Sequence, residues 1–187
     1  MLIYSHQMNG DVTMDYQITK KAAFTITGYT KKMIKIEKNE NFYDISRFWS
    51  NLTEEKITKL LSVSDGQIPA LLGVSDNNRG EFSQFNYTIG VASNQGKVVK
   101  SELIETKFPE SDWAIFECIG AISAGVEAID EGQSFEPNVL MQLKNRTYSP
   151  WSDAAINENI AIPRVEFYPL GNMEAVDYRC ELWVPIK

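Results

Sequence analysis

The sequence predicts an α+β fold built from two β-α-β-β halves related by a pseudo-twofold axis. Apolar residues recur at three- and four-residue spacing in residues 42–61 and again in residues 137–150, as in amphipathic helices. One strand-like stretch precedes each helix and two follow it, so the halves span about residues 14–93 and 110–187. We expect the helices to cover one face of the paired sheets and to leave the other face free.

The first half contains one helical segment among strand-like stretches. Residues 1–13 carry little periodicity and predict a flexible lead-in or linker, whereas residues 16–29 (YQITKKAAFTITGY) predict one long strand. Within the helical segment, Thr53 followed by two glutamates predicts a restart, because Thr caps helices and acids favour the first turn. Residues 70–74 and 85–92 predict two strands joined by a polar turn.

The second half repeats this order and ends in the most informative stretch of the chain. Residues 113–119 and 164–168 predict strands, and a last strand follows over residues 177–185. Its period-two pattern places Glu181 and Trp183 together on the face opposite the apolar stripe. A carboxylate beside an indole can receive an organic cation. The alternative is an edge-strand Glu paired with Arg179 or a lysine.

Composition favours a cytoplasmic protein with a sizeable core. The chain has 187 residues, 43% of them hydrophobic, without a membrane-spanning apolar run or a signal-peptide pattern. Cys118 and Cys180 lie in apolar stretches, which favours reduced thiols over a disulfide. No Cys or His cluster has the spacing of a metal site, and no pattern indicates a cofactor.

Charge and histidine content exclude several function classes. The net charge of −7 repels phosphate backbones, so we expect no direct nucleic-acid contact by this domain. The single histidine, His6, lies in the polar lead-in, which removes the usual base of serine and cysteine hydrolases. Any catalysis would have to use carboxylates, tyrosines and water.

Several stretches together resemble one known family. They are MDYQITKKAAFTITGY, FYDISRFW, LLGVSD, FNYTIGVAS, WAIFECIG, PRVEFYPLGN and YRCELWVPIK, and they cover nearly the whole chain from residue 14 onward. In this order they resemble the GyrI-like effector-binding domains, which occur at the C-terminus of AraC-type transcriptional regulators and as free-standing proteins. The resemblance implies one such domain over residues 14–187, with a ligand cleft between the two halves.

The resemblance also implies the residues of this cleft. It assigns Glu181 as the central carboxylate, with aromatic and acidic neighbours that bind the ligand: Trp183, Tyr87, Tyr168, Glu166, Trp49 and Trp151. A core position is the alternative for Tyr87 and for both helical tryptophans, and Glu166 has Arg164 or Arg179 as alternative partners. Residues 121–138 are longer than the corresponding family segment, which predicts a lid over the cleft or an inserted loop.

Two functions follow from the resemblance. The first is binding of a hydrophobic, cationic or drug-like small molecule, either as the sensor of a regulator with an attached DNA-binding domain or as a free-standing binding protein. The second is hydrolysis of cyclopropane-bearing genotoxic compounds, with Glu181 as general base and Tyr87 or Tyr168 polarising the substrate carbonyl. We favour the first, in which no residue is catalytic and no metal or cofactor takes part.

Overall fold

The computed structural model of the protein describes residues 3–6, 14–36, 40–76, 83–94, 102–122, 138–147 and 157–187. These ranges contain nine β-strands in one sheet and three α-helices. The elements in chain order are β1 (Ile3–His6), β2 (Met14–Lys21), β3 (Phe24–Ile34), α1 (Phe42–Ser50), α2 (Glu54–Val63), β4 (Ala70–Asp76), β5 (Gln84–Ser93), β6 (Ile104–Phe108), β7 (Ser111–Ile119), α3 (Val139–Thr147), β8 (Arg164–Pro169) and β9 (Arg179–Ile186).

The strands lie in the order β1-β2-β7-β9-β8-β4-β5-β3-β6, and each neighbouring pair is antiparallel. The predicted α+β class is therefore confirmed. The centre of the sheet is the β8–β4 pair, where Glu166 of β8 lies opposite Gly73 of β4. This pair forms the floor of the site described below.

The connections require a strongly curved sheet. Strand β2 ends at Lys21 and β3 begins at Phe24, yet the two strands lie near opposite ends of the sheet. The short link between β6 and β7 also joins distant positions. Curvature closes the face away from the helices around a second core that includes Ile26, Leu72, Val74, Phe108, Trp113, Val165 and Trp183. The expectation of a free second face is wrong for this reason.

The same connection corrects the prediction of one long strand over residues 16–29. The chain breaks at Ala22 and Ala23, after which β3 leaves the β2–β7 pair and pairs with β5 and β6. Strand β6 was not predicted. It has only five residues, and of these only Phe108 is buried, so its apolar signal is short.

The helices lie on one face of the sheet, as predicted. Ile45, Leu60 and Leu140, from the three helices, are buried in one core together with Tyr87 and Leu182 of the sheet. The predicted restart is confirmed, because the Thr53 hydroxyl accepts a hydrogen bond from the Lys56 amide at 3.3 Å and caps α2. Among the described helices, none is long and apolar enough to cross a membrane.

Candidate functional site

A cleft of about 260 Å³ lies between helices α1 and α3 and the centre of the sheet. Its floor comes from β4 and β8 and its walls from the two helices. It is lined by Phe42, Ile45, Ser46, Trp49, Ser50, Leu52, Ile57, Leu71, Ile122, Asn138, Leu140, Met141, Lys144, Glu166, Tyr168 and Met173. The lining is mostly apolar, with few charged groups, as is typical of small-molecule sites.

The carboxylate of Glu166 lies at the floor of this cleft and is almost fully buried, with 2% of its surface exposed. Its Oε2 atom accepts hydrogen bonds from the hydroxyls of Tyr87 at 2.5 Å and Tyr168 at 2.6 Å. Its Oε1 atom accepts a hydrogen bond from the Lys144 ammonium. A buried carboxylate needs such partners, because an unpaired charge in a dry environment is costly.

The strand register brings these groups together. Glu166 and Tyr168 alternate along β8 with residues that face the second core, so both side chains face the helices. On β4, Gly73 leaves the space that the Tyr87 hydroxyl and the Glu166 carboxylate occupy: a Cβ atom there would lie 2.3 Å from Tyr87 Oη and 2.7 Å from Glu166 Oε2. A lone glycine inside an apolar strand often marks such a close approach.

Trp49 of α1 completes the hydrogen-bond chain. Its indole Nε1 donates to the Tyr87 hydroxyl at 3.0 Å, and its ring lies 4.6 Å from that of Tyr168. Burial and the negative charge of Glu166 raise the pKa of both Tyr87 and Tyr168 well above 10. Both hydroxyls therefore stay protonated at neutral pH and act as donors to the carboxylate.

Among the described residues that line the cleft, Lys144 of α3 is the one cation. It is 3% exposed, and its ammonium forms ion pairs with both Glu166 and Glu40, the residue that precedes the α1 cap. The ammonium also lies 5.6 Å from the ring centroid of Phe42 and 5.9 Å from that of Tyr87. It is thus held between carboxylates and aromatic faces.

The helix that carries Lys144 is fixed by a second buried ion pair. Arg164 of β8 binds Glu158 through Nε at 2.8 Å and Nη2 at 2.7 Å, a bidentate arrangement. The same guanidinium donates from Nη1 to the Thr147 hydroxyl at 2.9 Å and from Nη2 to the Thr147 carbonyl at 3.1 Å, at the end of α3. Glu166 therefore pairs with Lys144, not with Arg164. Arg179, the other alternative, pairs with Glu117.

Glu181 and Trp183 lie on the opposite face of the sheet. Glu181 is paired in register with Phe167, one residue beyond Glu166, so its side chain points away from the cleft. The Trp183 indole donates to Glu181 Oε2 at 2.5 Å and is buried in the second core. The Lys21 ammonium lies 3.8 Å from the Trp183 ring centroid, so this pair already has its own cation.

Of the residues assigned from the sequence, the structure brings Tyr87, Tyr168, Glu166 and Trp49 together at the cleft. Trp151 lies outside the described residues, as does most of the segment 121–138. The two ends of that segment meet at the cleft, where the Asn138 side chain donates to the Ile122 carbonyl at 2.8 Å.

Sequence reasoning missed three participants: Lys144, Glu40 and Gly73. Lys144 follows Leu140 by four residues, which places a charge on the apolar stripe of α3 and is a readable signal. Gly73 interrupts the apolar run LLGV, which is a second signal. Glu40 lies in a charged stretch and carries no comparable signal.

Comparison with known proteins identifies the family. The profile of the Cass2 family, described as integron-associated effector-binding proteins, matches residues 17–186, whereas no curated protein sequence matches significantly. The structure of SAV2435 bound to tetraphenylphosphonium is similar with a TM-score of 0.69 and 20% identity, over 93% of this chain and 94% of that one.

Two further structures share the fold. A Staphylococcus aureus MU50 protein assigned to bacterial transcription regulation has a TM-score of 0.65 and 20% identity, over 93% of this chain and 99% of its own. The C-terminal domain of EcmrR has a TM-score of 0.51 and 10% identity, over 92% and 98% of the two chains. The chain belongs to the Cass2 family of integron-associated effector-binding proteins and fits the GyrI-like effector-binding family that its sequence resembles.

Proposed function

We propose that the protein binds a hydrophobic, aromatic small molecule in this cleft, with a preference for cations, and that Glu166 is the central carboxylate. The observation that carries the proposal is the buried Glu166 carboxylate, which accepts hydrogen bonds from two tyrosine hydroxyls at the floor of an aromatic cleft. Membership of an effector-binding family supports small-molecule binding. This revises the assignment of Glu181, which faces away from the cleft.

The charges of the site favour a cationic ligand. Two carboxylates, Glu40 and Glu166, share one ammonium, Lys144, and all three groups are buried. Tyr87 and Tyr168 remain neutral, so the three groups Glu40, Glu166 and Lys144 together carry a formal charge of −1. A monovalent organic cation would neutralise that charge inside a partly desolvated site, where Coulomb attraction is stronger than in water.

The apolar walls favour ligands with aromatic surface. Phe42, Trp49 and Tyr168 present rings to the cleft, and Leu140 and Met141 line it from α3. Such walls contribute burial and ring contacts without a demanding hydrogen-bond pattern, so we expect broad specificity. SAV2435, which shares the fold, binds tetraphenylphosphonium, a large aromatic cation.

We propose that the domain acts as a ligand sensor or as a free-standing binding protein. The fold it shares with the EcmrR C-terminal domain supports the first role, in which an attached DNA-binding domain would respond to the ligand. The net charge of −7 is consistent with this role, because the negative charge repels DNA and DNA binding would be carried out by the attached domain.

Calorimetric titration tests the proposal with two probes of the same shape and opposite charge, tetraphenylphosphonium and tetraphenylborate. We expect the cation to bind more tightly than the anion. Trp49→Phe should weaken both, because it removes ring area from the wall, whereas the control Trp183→Phe, on the other face, should leave both unchanged. Absence of binding by both probes, or a preference for the borate, would overturn the proposal.

We also infer that the domain is a duplication of one strand-and-helix unit. The strand order from β2 to β6 supports this inference. If β2, β3, β4 and β5 are exchanged with β6, β7, β8 and β9 respectively and the order is then read backward, the same order results. The units would then be residues 14–93 and 104–187, so that the second one includes β6. A crystal structure in which the two units are not related by a rotation near 180° would contradict the inference.

A further inference from the structure

The environment of Lys144 is the environment that an organic cation would require. Its ammonium contacts two buried carboxylates, Glu166 and Glu40, and lies within 6 Å of the ring centroids of Phe42 and Tyr87. Carboxylates and ring faces are the groups that recognise a ligand cation in a desolvated site. The chain thus already supplies one cation to this part of the cleft.

We propose that Lys144 is a resident cation that competes with the charged group of the ligand and thereby sets the charge selectivity of the cleft. The proposal rests on the proposed function, since it specifies which ligands the same site accepts. A ligand cation near Glu166 Oε1 must displace the lysine ammonium or lie beside it, and either event weakens its binding. A neutral or anionic aromatic ligand incurs no such loss.

The fold allows the side chain to move without moving its helix. The last turn of α3 is held through Thr147 by the Arg164–Glu158 ion pair, so the backbone that carries Lys144 is fixed. The four-carbon stem of lysine has rotatable bonds, so its ammonium can move from Glu166 toward Glu40 and keep one ion-pair partner. The competition therefore concerns one side chain.

Lys144→Met is the direct test, because methionine keeps the length of the side chain and removes its charge. The three groups then carry a formal charge of −2. For a ligand charge about 5–6 Å from the former ammonium position, the lost repulsion corresponds to about tenfold to hundredfold tighter binding of tetraphenylphosphonium. Tetraphenylborate should bind more weakly than to wild type. Lys20→Met is the matched control, because it removes an equal charge from an exposed pair with Glu110, away from the cleft.

A second variant covers the case in which the loss of the Lys144 charge beside two buried carboxylates prevents folding. Glu40→Gln with Lys144→Met restores the net charge of −1, so the overall field equals that of wild type, yet the resident cation is gone. We expect about tenfold tighter binding of tetraphenylphosphonium by this variant, because Glu166 Oε1 is then accessible to the ligand. Unchanged or weaker cation binding in this variant would overturn the proposal.

The two hypotheses fail differently. If wild type binds neither probe, the proposed function fails. If wild type binds the cation but the ratio of cation to anion affinity is the same in wild type, Lys144→Met and Lys20→Met, the role of Lys144 fails while the proposed function stands.

Discussion

Gly73→Ala tests the geometry of the cleft floor most sharply. The added Cβ atom would lie 2.3 Å from Tyr87 Oη, which must retreat to at least 3.4 Å, a movement of about 1 Å. Tyr87 is fully buried and its hydroxyl has close partners on two sides, Glu166 Oε2 at 2.5 Å and Trp49 Nε1 at 3.0 Å. Either these hydrogen bonds lengthen or the strands separate.

The cost follows from these contacts. Overpacking a well-packed interior costs about 1–3 kcal/mol, and loss of one hydrogen bond to a charged group costs about 1.5–3 kcal/mol. We therefore expect Gly73→Ala to lower the free energy of unfolding by about 2.5–6 kcal/mol in urea titrations. Ligand affinity should fall as well, because the Tyr87 hydroxyl no longer holds Glu166 in place.

A double-mutant cycle gives the control. Tyr87→Phe removes the hydroxyl that the Cβ atom would meet, so Gly73→Ala should cost at least about 1 kcal/mol less in that background. If the two substitutions are additive, or if Gly73→Ala changes the free energy of unfolding by less than about 0.5 kcal/mol, the close packing of Gly73, Tyr87 and Glu166 is refuted.

Two further predictions concern titratable groups. Because folding raises the pKa of Tyr87 and Tyr168 above the ordinary value of 10, their contribution to stability is complete below pH 10 and is lost as the pH rises through the folded pKa values. The melting temperature should therefore fall above about pH 10, and less steeply in the double variant Tyr87→Phe/Tyr168→Phe. Equal slopes in the two proteins would contradict the raised pKa values. Cys118 and Cys180 face each other across β7 and β9 with their Sγ atoms 2.7 Å apart, and both are free. Their hydrogen bond and burial raise the pKa of the Cys180 thiol, which suppresses the reactive thiolate. Thiol titration should therefore find slow reaction in the native protein and two reactive thiols after unfolding without a reducing agent. Fewer than two thiols would contradict the assignment of both cysteines as free.

The sequence predicted the elements better than their arrangement. Apolar spacing located α1, α2 and α3, and the cap at Thr53 located the boundary between the first two, because these signals are local. The break between β2 and β3 at residues 22–23 escaped prediction because two alanines stand there in place of the Gly, Pro or Asn that usually mark a strand end. The closed second core depends on how distant strands pair, and local periodicity carries no information on that pairing.

The same limit explains the candidate site. Tyr87 has both of its expected positions, because its ring is buried in the core below the helices and its hydroxyl reaches Glu166 at the cleft floor. Choosing between Glu166 and Glu181 required the register of β8 against β9, where a shift of one residue exchanges the faces. Lys144 carries a local signal, a charge on the apolar stripe of α3, but its pairing with Glu166 depends on which helix face meets β8, which is a tertiary contact.

Parallel titration of Glu166→Gln and Glu181→Gln with tetraphenylphosphonium tests the central claim most directly. Both variants remove one negative charge and preserve side-chain shape, so net charge cannot distinguish them. After each variant is shown to melt like the wild-type protein, we expect Glu166→Gln to lose about 2–5 kcal/mol of binding free energy and Glu181→Gln to change affinity by less than about twofold. A large loss in Glu181→Gln with none in Glu166→Gln would contradict the account and place the ligand on the opposite face of the sheet.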